Sequence, residues 1–89
     1  MTSSDETDLR RHVADAIQIV VPVDRSVMMA FLEGQGDCLL DSFEIDSLGL
    51  MEFCIALELS TGIGLTPEDV QNAGSLAAIT RLAAGRKGA

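Results

Sequence analysis

Asp46-Ser47-Leu48 sets a hydroxyl between a carboxylate and an apolar residue, directly ahead of the run Gly-Leu-Met-Glu-Phe-Cys-Ile-Ala-Leu-Glu-Leu, whose apolar spacing is helical rather than alternating. A serine in that place stands at a helix start. The first backbone N–H groups of a helix lack partners and the helix dipole is positive there, so a phosphate ester on the hydroxyl would be well accommodated. Ser47 therefore reads as an attachment point for a prosthetic group. The other groups able to do chemistry are placed less suggestively. Cys38 and Cys54 form no C-x-x-C pair and have no histidine cluster nearby, so zinc binding and dithiol redox chemistry lack support, and Cys54 reads as a core-facing residue. The single histidine, His12, falls on the edge of the first helix's apolar face, and no Ser, Cys and His share a motif that would suggest a triad, so neither a catalytic nor a metal-binding residue is expected.

The elements that must hold Ser47 follow from periodicity and punctuation. Ser3 and Glu6 have capping-box spacing, and Leu9, Val13, Ala16, Ile17 and Val20 then share one helical face, which predicts a first helix over about 5–20 ended by Pro22. Residues 23–46 form a long connection interrupted by Gly34 and Gly36, yet it carries Val27, Met28, Met29, Phe31, Leu32, Leu39, Leu40 and Phe43. A structureless loop of that length and apolarity is uncommon, so a short helix over about 26–33 is expected within it, packed across the bundle. The second main helix should cover about 47–60 and stop near Gly62 and Gly64. Leu50, Phe53, Cys54 and Leu57 make one stripe on it suited to a core, while Leu48, Met51, Ile55 and Leu59 make a second on a neighbouring face. That second stripe either packs under the 23–46 connection or binds something outside the chain. Thr66-Pro67-Glu68-Asp69 is an N-cap followed by proline at the first helical position and acids in the first turn, predicting a short third helix over about 67–72 closed by Gly74. Ser75 should cap a fourth, with Leu76, Ile79, Leu82 and Ala83 inward and an end near Gly85. Leu9, Val13, Ile17, Leu50, Phe53, Leu57, Leu65, Val70, Leu76 and Ile79 make up the expected core.

At 89 residues the chain reads as one domain, 1–89, with 1–4 and 86–89 as frayed ends. Nearly half of it is hydrophobic but only three residues are aromatic, all Phe, so a helical interior of Leu, Ile, Val, Ala and Met is expected. The net charge is −8, and no Lys or Arg lies between Arg25 and Arg81, whereas Glu33, Asp37, Asp41, Glu44, Asp46, Glu52, Glu58, Glu68 and Asp69 all do. Such a field repels nucleic acid and anionic membrane surfaces and draws in basic protein surfaces. No signal peptide or apolar run of membrane-spanning length is visible in the sequence, so a cytoplasmic location is the expectation.

Ile45-Asp46-Ser47-Leu48, followed by Met51-Glu52-Phe53 and Ala56-Leu57-Glu58, resembles the acyl carrier protein family of fatty acid, polyketide and nonribosomal peptide assembly. Leu65-Thr66-Pro67-Glu68-Asp69-Val70 and Ser75-Leu76 look like that family's short third helix and the start of its fourth. The resemblance implies an all-α, four-helix bundle with a long connection between its first two helices. It also implies 4'-phosphopantetheine carried covalently on Ser47, with Asp46 and Leu48 as flanking motif residues. By resemblance the chain is a non-catalytic carrier served by a separate phosphopantetheinyl transferase, a loading ligase and downstream synthase or transferase enzymes; a monomer is the default expectation. Partner recognition would fall to Glu44, Leu48, Met51, Glu52, Ile55 and Glu58. A second serine competes: Leu39-Leu40-Asp41-Ser42-Phe43 resembles a segment of D-alanyl carrier proteins, but counting from Ser42 misplaces the downstream triplets, so Ser47 is favoured. Glu44, Gly49, Leu59, Ser60 and Thr61 stand where carriers of bulk fatty acid synthesis usually have glycine or acids, which favours a specialised pathway over general fatty acid synthesis. An unmodified helical adaptor docking through the second apolar stripe is the reading from another class.

Overall fold

The structure is a computed structural model that describes residues 2–87, and Met1, Gly88 and Ala89, part of the ends expected to fray, lie outside the described residues. Among the described residues five helices follow one another: α1 (Thr2–Val20), α2 (Arg25–Leu32), α3 (Ser47–Thr61), α4 (Pro67–Ala73) and α5 (Leu76–Lys87), with a 3-10 turn at Leu40–Ser42 before α3. Among the described residues there is no strand, only an isolated antiparallel bridge between Leu39 and Ser75. Helix α1 packs most extensively on α3 and α5 and also meets α2, while α4 fills the space between α3 and α5. No helix among the described residues is long and apolar enough to cross a membrane.

Helical spacing delivers the core. The ten residues expected inside are all buried, joined by Ala14, Ala16, Met28, Phe31, Cys38, Cys54, Ile63 and Ala83. The apolar character of the connection is explained in the same way, because α2 turns Met28 and Phe31 into that core. Burying each of those side chains contributes on the order of 1.5–3 kcal/mol, which a solvated linker would forgo. The short helix is capped by Asp24, whose Oδ1 accepts from the Ser26 N–H and from the Ser26 hydroxyl, both at 2.8 Å. These bonds favour the carboxylate and hold the Asp24 pKa below its ordinary value.

Helix ends depart from the sequence expectation at the two termini. Helix α1 begins at Thr2 rather than Asp5, so Ser3 lies inside it and not at its N-cap. No Gly or Pro precedes Pro22, so nothing in the sequence interrupts the helix earlier. Helix α5 runs through Gly85 to Lys87, and Arg86 is anchored rather than frayed: its Nη1 donates to the Gly64 carbonyl at 3.1 Å and to Asp69 Oδ2 at 2.8 Å. Elsewhere the punctuation holds. Thr66 and Asp69 form a reciprocal capping box at α4, and Gly62 and Gly74 close α3 and α4 with φ of 78° and 82°, left-handed values that glycine adopts without steric cost.

After α2 the chain is tied to the other end of the bundle. Leu40 N–H donates to the Gly74 carbonyl and Leu76 N–H to the Cys38 carbonyl, each at 2.9 Å. Asp37 Oδ1 accepts from its neighbour Cys38 at 2.8 Å and from the Ala77 N–H at 2.9 Å, so a side chain from the connection caps the start of α5. Burial pushes the Asp37 carboxyl up, but the N–H groups of Ala77 and Cys38, the Ser75 hydroxyl and the nearby Arg81 outweigh it and leave the pKa below its ordinary value. The connection thus reaches Ile45 and Asp46 as a fixed support for α3.

Candidate functional site at the start of α3

Asp46 is the N-cap of α3, with extended backbone (φ −88°, ψ −178°), and its Oδ1 accepts from the Gly49 N–H at 2.8 Å. Ser47 is then the first helical residue and is exposed. Its hydroxyl takes part in none of the hydrogen bonds among the described residues. The cap leaves the Ser47 and Leu48 N–H groups without an acceptor within the helix, as the geometry of a first turn requires. An exposed, unengaged hydroxyl therefore sits where a negative group is favoured by the helix dipole.

Two clefts flank this helix start, and Ile45 borders both. One, of about 270 Å³, lies between the end of α1 and the start of α3, lined by Val20, Val21, Glu44, Ile45, Asp46, Leu48, Gly49 and Glu52. The other, of about 370 Å³, lies between the 3-10 turn, α3 and α4, lined by Leu40, Asp41, Phe43, Ile45, Leu50, Gln71 and Gly74. Glu44, Asp46, Leu48 and Glu52 thus gather at one cleft, while Met51, Ile55 and Glu58 continue along the exposed side of α3. Leu48 is 63% exposed, Met51 and Ile55 each 51%, and Leu59 84%, so the second apolar stripe does not pack beneath the connection.

Ser42 is differently engaged. It ends the 3-10 turn, and its hydroxyl donates to the Leu39 carbonyl at 2.6 Å, after which the chain leaves in an extended conformation at Phe43. No helix start presents it. Both cysteines are free and buried. Burial, with the Asp37 charge beside Cys38 and the Asp69 charge near Cys54, pushes both thiols up, so they stay protonated and poorly nucleophilic at neutral pH. His12 is half-buried on α1, and among the described residues no group of three or more His, Cys, Asp or Glu could hold a metal ion.

One residue of the site carries a role the sequence reading did not give it. Gly49 is buried, and a Cβ there would lie 2.9 Å from both Val20 Cγ1 and Ile45 Cγ2 and 3.3 Å from Asp46 Oδ1. A glycine in the first turn of an otherwise apolar helix was the available signal, since it is a poor helix former without some such reason. Compared with protein-family models, curated proteins and solved structures, the chain matches none.

Proposed function

We propose that this chain is a carrier protein that bears 4'-phosphopantetheine on Ser47 and presents a thioester-bound acyl or aminoacyl group to partner enzymes in a specialised biosynthetic pathway. The observation that carries the reading is the Ser47 hydroxyl, exposed and free of hydrogen bonds at the first position of a capped, 15-residue helix. A phosphodiester fits there, because the unpaired first-turn N–H groups and the helix dipole favour its charge. The prosthetic group would supply a thiol on a flexible arm. The chain itself would supply the nucleophilic oxygen, which forms a bond to the pantetheine-bearing phosphorus of coenzyme A as the pyrophosphate P–O bond breaks and adenosine 3',5'-bisphosphate leaves, while a base of the transferase takes the hydroxyl proton. Asp46 fixes the backbone around that oxygen through its bond to the Gly49 N–H. Leu48, Met51 and Ile55, with Glu44, Glu52 and Glu58 nearby, would form an apolar docking surface rimmed by acids, suited to a partner with a basic rim and an apolar centre. The exposed stripe also favours a second reading, an unmodified adaptor that docks through the same residues. A general carrier of fatty acid synthesis is the alternative within the same class.

Incubation with coenzyme A and a broad-specificity phosphopantetheinyl transferase, followed by intact-mass measurement, separates the readings. One addition is expected on the parent protein and on Ser42→Ala, and none on Ser47→Ala. Glu44 lies between the two serines, so cleavage after glutamate places them on different peptides and locates the addition directly. A parent that stays unmodified, or a Ser47→Ala protein that takes up the group, overturns the proposal.

A further inference from the structure

We infer that Gly49 is a positioning residue for Ser47: the missing side chain at 49 lets the first turn of α3 seat against Val20 and Ile45, and that seating sets where the Ser47 hydroxyl is presented. This inference rests on the carrier reading. The contacts are on three sides. A Cβ at 49 would meet the end of α1 at Val20 Cγ1 and the residue before the cap at Ile45 Cγ2, both at 2.9 Å, and the capping carboxylate itself at 3.3 Å. Real Cβ atoms do not approach carbon at 2.9 Å, so an added methyl must displace at least one of these groups. Val20 and Ile45 are half-buried against the core and cannot swing freely into solvent. Pressure on Ile45 passes to Asp46, its neighbour in sequence, and Asp46 Oδ1 is the acceptor of the Gly49 N–H. Ser47 stands between the cap and the glycine that the cap holds, so a shift of either moves it.

Helix propensity opposes this effect, which makes the sign informative. Alanine is the better helix former, and at an unobstructed position Gly→Ala stabilises a helix. Gly49→Ala is expected to lower the protection of the residue-49 amide against hydrogen exchange and to leave the melting temperature unchanged or lower. Its kcat for modification by a phosphopantetheinyl transferase should fall about tenfold, as small misplacements of a reacting atom do, with KM for coenzyme A unchanged. Making room should restore it: in a Val20→Ala, Ile45→Ala background, adding Gly49→Ala should change kcat by less than about twofold, since the two groups it strikes at 2.9 Å are gone. The background protein is the reference for that comparison, so a loss of stability from its two truncations does not enter the ratio. A Gly49→Ala protein that melts higher, keeps its amide protection and is modified at the parent's rate overturns the inference. So does an equal kcat loss in both backgrounds. An unmodified parent is a separate outcome: it overturns the carrier reading and, with it, any role for Gly49 in presenting Ser47.

Discussion

At the mouth of α3 a carboxylate, a hydroxyl and an absent methyl share the cap and first turn of the helix, and the carboxylate is the member whose removal is easiest to weigh. Asp46 satisfies one of the orphan first-turn donors through its 2.8 Å bond from the Gly49 N–H. Asp46→Ala should therefore destabilise the protein by about 1 kcal/mol, within the range of N-cap losses, and Asp46→Asn by much less, as read from denaturant midpoints at constant m-value. A neutral result for Asp46→Ala would mean that water replaces the cap without loss. The place of Ser47 at a helix start was legible in the sequence, written locally as a serine ahead of an apolar helical run, whereas Asp46 was expected only as a flanking motif residue and its role as N-cap comes from the structure. The equivalent role of Asp37 was not legible, because its acceptor atom serves the N–H of Ala77 forty positions away and only the folded connection brings the two together.

Helix α3 divides its apolar residues between two destinies, and period alone separates the stripes without saying which one the protein covers. Leu50, Phe53 and Leu57 are buried in the core, while Leu48, Met51, Ile55 and Leu59 stay open. Leu57 is wholly buried, so Leu57→Ala should cost about 2–5 kcal/mol. Met51→Glu, on the open face, should leave the unfolding midpoint within about 0.5 kcal/mol of the parent. Under the carrier reading it should also block turnover by the transferase or loading enzyme, because it sets a charge at the centre of the proposed docking surface. Chemical denaturation of the two variants checks the first pair of expectations, and unfolding of Met51→Glu would place that stripe in the core. The short helix α2 was legible from the density of apolar residues in the connection. The start of α1 was not, because Ser3 and Glu6 imitate a capping box inside a segment that holds no breaker before Pro22.

At the scale of the whole molecule, the last helix is tied to α4 by charge. Arg86 of α5 joins Asp69 of α4 and the Gly64 carbonyl, and with the Thr66 bonds this draws the Asp69 pKa down from 3.8 to about 2. A carboxyl whose pKa is depressed on folding contributes its stability above the unfolded value and loses it as pH falls through the folded one. The part of the stability difference between the parent and Arg86→Ala that depends on Asp69 should hence be full above about pH 5, shrink from about pH 4 downward and be lost near pH 1. Thermal melts of the two proteins across that range read it, and a difference that stays constant down to about pH 1 would assign Arg86's effect to packing and to its bond with Gly64. The two buried thiols give the fold a further property. Cys38 belongs to the connection, held to the α4–α5 turn by two backbone bonds and the Asp37 carboxylate, whereas Cys54 is sealed on the inner side of α3. A thiol reagent should reach Cys38 on a local opening of the connection, but Cys54 only on separation of α3 from its neighbours. Labelling the unmodified protein thus runs two clocks in one tube, one timing the release of the support beneath Ser47 and the other timing the loss of the bundle.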